Sequence, residues 1–191
     1  MGLLTAFSYP VLIIGTIIAQ PAAALGSGAL AAGGLINFWL AFWIIFVTDL
    51  IMDTVWYGLG RVYGEGAARF LKKVFRVNEE MVVKVQTLFH TRPILILLSA
   101  KLLGGFGMMP FILFTAGSSR MRYDKYIFLN AAGEVLWTGG QMVLGFFFSS
   151  IIGSIEDTIG KMTALAGAII VLGLYFYAFR MGTKKVLNRP L

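Results

Sequence analysis

Cysteine is absent from this chain, and histidine occurs once, at position 90. The first absence excludes disulfides, Cys-ligated metals and thiol nucleophiles. The second leaves no histidine metal cluster and no Ser, His and Asp arrangement beyond one imidazole. His90 falls at the edge of an apolar segment, where an interfacial role suffices. Charge is also scarce: 13% of residues are Asp, Glu, Lys or Arg, and none precedes Asp49. The N-terminal stretch therefore lacks the basic opening of a cleaved signal peptide. GLGRVYGEG neither follows a strand nor carries a phosphate-loop lysine. No enzyme, cofactor or metal site is expected.

What is abundant is apolar surface. Hydrophobic residues make up 58% of the 191, and the mean hydropathy is +0.82, far above a domain that must keep a charged exterior. The apolar runs are continuous and lack period-two alternation, so they predict membrane helices rather than outer-membrane strands. The net charge of +7 is gathered in islands. Seven Lys or Arg against three Glu lie between Arg61 and Arg92; SSRMRYDK (118–125) and the tail 180–191 are also basic, whereas SIEDTIGK (154–161) carries Glu156 and Asp157 against Lys161. Basic flanks mark the cytoplasmic side and attract anionic headgroups. The partners expected are membrane lipids, not nucleic acid.

This charge bias places both ends of 93–117 in the cytoplasm, although PILILLSAKLLGGFGMMPFILFTAG is membrane-like throughout. Three glycines and a proline interrupt its middle, which predicts a re-entrant helical hairpin. The N-terminal half repeats the plan: residues 1–34 contain the Pro- and Gly-broken TIIAQPAAALGSGALAAGG, and 35–60 form one long helix. A basic amphipathic connector follows over 61–92, as interfacial or solvated linker helix. Helices at 126–153 and 162–179 and the cytoplasmic tail 180–191 complete the chain. The fold class predicted is all-α and polytopic: two re-entrant hairpins in inverted topology, each followed by a long transmembrane helix, plus a C-terminal one. Inverted repeats with broken helices are a transporter pattern.

Within DLIMDTVWYGLGR (49–61), Asp49, Asp53 and Tyr57 share one helical face. A carboxylate facing lipid is very costly, so this face must turn into the bundle or a wet cavity. Asp53 is either functional or paired with Arg61 or a lysine; Asp49 is either functional or bonded across helices. Lys101 is the one cation inside an apolar hairpin, and Glu134 lies about two turns into the helix that begins near Lys125. Asp49, Asp53 and Glu134 are candidates for proton coupling, and Lys101 and Arg61 for holding a phosphate. Gly104, Gly105 and Gly107 either let a headgroup approach free backbone N–H groups or permit close helix packing.

DTVWYGLGRVYG, with Asp53, Tyr57, Gly60, Arg61 and Gly64, resembles the D-x3-Y-x2-G-R-x2-G signature of the DedA membrane proteins, also called SNARE-associated or VTT-domain proteins. AGSSRMRYDKYIFLNAAGEVLW resembles the family's block after the second hairpin. The resemblance implies a lipid transporter of the cytoplasmic membrane, for polyprenyl phosphate or phospholipid, coupled to protons or another ion. It also implies homodimers. Tyr57, on the face of Asp49 and Asp53, is a further candidate for the headgroup site. Two family positions differ here. Pro21, preceded by Gln20, replaces the first hairpin's glutamate, and KLLGGFG replaces R-F-x-P-G-x-R, so that Gly104 stands for the proline and Gly107 for the second arginine. Transport of a small solute or ion, and a non-transporting membrane organiser acting through the basic connector and tail, are the other readings.

Overall fold

The computed structural model describes residues 3–75, 91–102 and 109–154, together with Val85, Thr87 and Phe89. Among the described residues five helices have defined bounds: α1 Leu3–Ala32, α2 Phe38–Phe75, α3 Pro93–Leu102, α4 Met109–Ser118 and α5 Tyr123–Ser154. There is no strand among the described residues. The expected helix 162–179, the tail 180–191, His90, Gly104, Gly105 and Gly107 lie outside them.

Helix α1 is interrupted at Ala19 (φ −153°, ψ 70°). The cause is two residues on: Pro21 has no N–H to give, and in an unbroken helix its ring would clash with the Ile17 carbonyl, so the helix cannot run through it unbroken. A Cβ on Gly15 would lie 3.5 Å from that of Ala23, whereas eight residues of straight helix rise about 12 Å. The chain therefore turns back on itself at Ala19. Its second arm ends in a Schellman turn, with Gly34 at φ 70° and the amides of Gly34 and Leu35 bonded to Ala31 and Leu30 oxygens, both at 3.0 Å.

Asn37 caps α2, its Oδ1 accepting from the Leu40 amide at 2.9 Å. The expected end of this helix at Gly60 is corrected: the helix continues to Phe75, with its break at Gly64 (φ 52°, ψ −136°). Gly60 stays helical because it serves packing, as the contacts of its face make clear. The connector thus begins as the continuation of α2.

Four glycines fix how the helices meet. A Cβ on Gly28 would overlap the Met142 carbonyl oxygen and stand 2.8 Å from the Phe146 nitrogen; one on Gly145 would overlap the Leu25 oxygen. A Cβ on Gly117 would overlap the Tyr57 oxygen and stand 2.9 Å from the Arg61 nitrogen; one on Gly60 would overlap the Phe114 oxygen. Met142 and Phe146 flank Gly145 as Tyr57 and Arg61 flank Gly60, and Leu25 precedes Gly28 as Phe114 precedes Gly117. The second arm of α1 on α5 thus repeats α4 on α2, residue for residue. In this repeat Glu134 takes the place of Asp49, and Thr138 that of Asp53.

The burial pattern is that of a membrane protein. Asp53, Lys101, Asn130, Glu134 and Thr138 are buried, while Ile18, Trp39, Val62, Phe128 and Leu144 are exposed, the reverse of a water-facing surface. Phe38–Gly64 is long and apolar enough to cross a bilayer; Tyr9–Ala32 is equally apolar, but its turn at Ala19 divides it into two shorter arms. Helix α5, 32 residues long, is more polar because one of its faces carries the buried groups. Two apolar clusters flank that polar layer: Leu12, Ala24, Phe42, Ile45 and Met142 on one side, and Tyr57, Leu97, Phe111, Leu113 and Tyr126 on the other.

Candidate functional site

Lys101, at the last turn of α3, enters the bundle between the two long helices. Its ammonium lies 3.1 Å from Asp49 Oδ2 and 2.7 Å from Glu134 Oε2, and it also donates to Asp53 Oδ2. The i,i+4 spacing of Asp49 and Asp53 turns both toward it from α2, and Glu134 faces it from α5. Oδ2 of Asp53 accepts a further bond from Asn130 Nδ2 at 3.0 Å. The lysine is 4% exposed and Glu134 is fully buried, and Gly133 leaves room for the lysine stem, whose Cγ would stand 3.0 Å from a Cβ there.

One oxygen from each of the three carboxyl groups lies within 4.8 Å of the others, a spacing that would suit a metal ion, yet the ammonium of Lys101 stands among them. With all groups ionised the cluster carries two more negative charges than positive. Burying unbalanced charge costs several kcal/mol per ion, so no member of the cluster can be removed without upsetting the balance of the rest.

The first break reaches the same centre through neutral groups. Gln20, one residue past Ala19, accepts from Trp137 Nε1 at 3.2 Å and donates from Nε2 to Thr138 Oγ1 at 2.8 Å. Thr138 in turn donates to Glu134 Oε1. Every donor in this chain points toward Glu134. A cavity of about 300 Å³ opens beside the cluster, lined by Gln20 and Pro21 from α1, Asp49, Asp53 and Trp56 from α2, Lys101, and Trp137. Lys101 is the only basic residue lining it among the described residues.

Of the residues singled out in the sequence, the structure brings Asp49, Asp53, Glu134 and Lys101 together. It sets Tyr57 and Arg61 apart from them. Both donate to the Met121 carbonyl oxygen, Arg61 at 3.0 Å, and Arg61 Nη1 also reaches the Tyr57 hydroxyl at 2.8 Å. They fasten the turn after α4 to α2, and Tyr57 stacks on Tyr126 with centroids 4.1 Å apart. Asp53 pairs with Lys101, where the sequence leaves Arg61 or a lysine as its partner.

Gln20, Asn130 and Thr138 do not stand out as site residues in the sequence. A signal exists: Asn130, Glu134, Thr138 and Gln141 recur at helical spacing as a polar stripe in an apolar segment, and all four are buried.

Residues 21–147 match the VTT domain, a span that holds the whole carboxyl–lysine cluster. The chain is 22% identical over 188 residues to the inner membrane protein YohD of Escherichia coli, covering 96% of this chain and 95% of that protein. It is 32% identical over 127 residues to an uncharacterized membrane protein of Mycobacterium leprae, covering 65% of this chain and 54% of the relative. No solved structure matches the chain.

Proposed function

The chain belongs to the VTT-domain, or DedA, family of membrane proteins, and we propose that it is a cytoplasmic-membrane transporter that moves a lipid bearing a phosphate headgroup, coupled to protons. The observation that carries this reading is the position of Lys101. It joins carboxylates of both long helices and lines a cavity between the two broken segments.

With the carboxyl groups ionised, the ammonium is shared among three acids and has little to offer a phosphate. Proton uptake by the acids releases it, and a headgroup entering the cavity then finds a free cation. Headgroup binding and proton uptake therefore accompany one another, and discharge of the protons on the far side returns Lys101 to its carboxylates and expels the phosphate. The repeated glycine packing supports two halves of inverted topology, in which α3 and α4 leave the membrane by the face they entered. Basic flanks at Arg61 and 118–125 favour the cytoplasmic side for that face.

The test is transfer of a fluorescent polyprenyl phosphate across liposomes holding the purified protein. The unsubstituted chain is expected to flip the lipid faster than its Asp53→Asn form, and faster with an acidic exterior. Equal rates for both, or none above empty vesicles, would overturn the reading. The excess of acid over base in the cavity favours one other reading, transport of a small cation. Cation flux without lipid movement in the same vesicles would establish that instead.

A further inference from the structure

A second cavity, of about 670 Å³, opens along the seam between α3 and the start of α5, away from the carboxyl cluster. Its lining is divided by chemistry. Arg92 and Lys125 stand at one end, and Ile94, Leu95 and Leu98 form the wall. Both cations are exposed, and neither is paired with a carboxylate among the described residues. The nearest acid in sequence, Asp124, is engaged by Arg122 at 2.9 Å. The wall is open as well: Ile94 is 45% and Leu95 61% exposed. At the inner end Leu98 reaches the site of Gly133, 3.6 Å from a Cβ there, beside the stem of Lys101.

The groove is therefore amphipathic along its length, with positive charge at the basic flank and an apolar floor running inward. A soluble anion would satisfy the cations and leave the floor uncovered. An uncharged lipid would cover the floor and leave two cations unmatched. We propose that this groove holds one lipid of the cytoplasmic leaflet with an anionic phosphate headgroup, its phosphate between Arg92 and Lys125 and its chain along Leu95 and Leu98. From Arg92 to Lys101 the chain climbs nine residues, about 13 Å of helix, so the lipid lies one step outside the central cavity. The inference rests on the membrane reading of the chain and not on transport.

The test uses the absence of cysteine. Phe128, one turn past Lys125 on α5 and 73% exposed, is replaced by Cys and labelled with bimane in phosphatidylcholine vesicles. Brominated phosphatidylglycerol is then titrated against brominated phosphatidylcholine. Two cations near the surface, at about 1 kcal/mol each, should lower the half-quenching fraction of the anionic lipid about thirtyfold. The paired change Arg92→Gln with Lys125→Gln should abolish the preference, and Arg92→Lys with Lys125→Arg should retain it. A label at Ile51→Cys on α2 should show none. Equal quenching by the two lipids at Phe128→Cys, a preference that survives the double glutamine change, or the same preference at Ile51→Cys would overturn the proposal.

Discussion

Oε2 of Glu134 lies 2.7 Å from Nζ of Lys101, and this contact ties α5 to the end of α3. The same ammonium holds Asp49 and Asp53 on α2. One side chain thus secures both long helices, and no displacement of α2 against α5 can leave its pairing unchanged. Because Glu134 and Asp49 hold equivalent places in the repeated packing, the lysine has one equivalent acid in each half, with Asp53 as a third. The second half offers Thr138 where the first offers Asp53, so the centre is symmetric in position and unequal in charge.

Removing only the cation should be worse than removing cation and acids together. Lys101→Met strands the buried carboxyl groups of Asp53 and Glu134 and the half-buried one of Asp49, and breaking a buried pair from one side costs about 3–5 kcal/mol. The expected outcome is a markedly lower unfolding temperature in detergent, read by fluorescence-detected size-exclusion chromatography. Lys101→Met combined with Asp53→Asn and Glu134→Gln should recover much of that loss. A triple variant as unstable as the single one would mean that the lysine acts through packing.

Affinity for a lipid phosphate should rise as pH falls, because protonated acids release Lys101 to the headgroup. The sign follows from charge alone: each proton taken up removes a competitor for the ammonium. Asp49→Asn removes one such acid permanently, so the slope of log Kd against pH should become shallower by up to about one proton. Isothermal titration with a short-chain polyprenyl phosphate over a pH series measures this. Affinity that improves with rising pH would contradict the exchange.

The four contact glycines should not tolerate alanine, whereas other glycines of the same helices should. At Gly28, Gly60, Gly117 and Gly145 an added methyl meets a backbone carbonyl of the facing helix, and backbone cannot step aside as a side chain does. Gly28→Ala or Gly117→Ala should therefore abolish recovery of monodisperse protein. At Gly58 and Gly140 an added methyl would have no neighbour within 4 Å, and alanine there should be neutral or stabilising by up to about 1 kcal/mol.

Arg120 adopts a φ of 53°, the left-handed conformation that closes a Schellman turn after α4, with the Met121 amide bonded to the Ala116 oxygen at 3.2 Å. Glycine normally takes this position. The strain in a residue carrying a Cβ is about 1 kcal/mol, and Tyr57 and Arg61 on the Met121 oxygen hold it in place. Arg120→Gly should raise thermal stability by roughly that amount, and Tyr57→Phe should lower it. A destabilised glycine variant would show that the arginine side chain has a role of its own.

The described helices and the break in α1 are legible because proline, glycine and charge act locally. Pro21 breaks α1 two residues upstream, and the apolar length of α2 is plain. Its end is not: a glycine that ends a helix and one that admits a neighbouring helix look alike in sequence, and only the Phe114 carbonyl distinguishes Gly60 from Gly64. Asp49, Asp53, Glu134 and Lys101 are legible as costly charges in an apolar setting. That one lysine serves all three acids is not, since the pairing depends on how α2, α3 and α5 meet. Gln20 and Thr138 escape notice because a neutral amide or hydroxyl in a membrane helix has many ordinary uses.

The neutral link at the break in α1 should be separable from the charged one at the end of α3. Gln20 holds the α1 arm to α5 only through Thr138 and Trp137, while the end of α3 is held by the ion pairs of Lys101. Losing the Gln20 amide should loosen the first arm and leave α4 in place. Ala24 and Ala116 are both fully buried, one on each arm, and a cysteine at either can be probed with a water-soluble maleimide in membrane vesicles. Gln20→Ala should raise the labelling rate at Ala24→Cys several-fold with no change at Ala116→Cys, and Thr138→Val should act in the same direction. If both cysteines become reactive together, the hydrogen bonds only contribute general stability; if neither does, the α1 arm is held by its glycine packing on α5 and Gln20 has no part in keeping it closed.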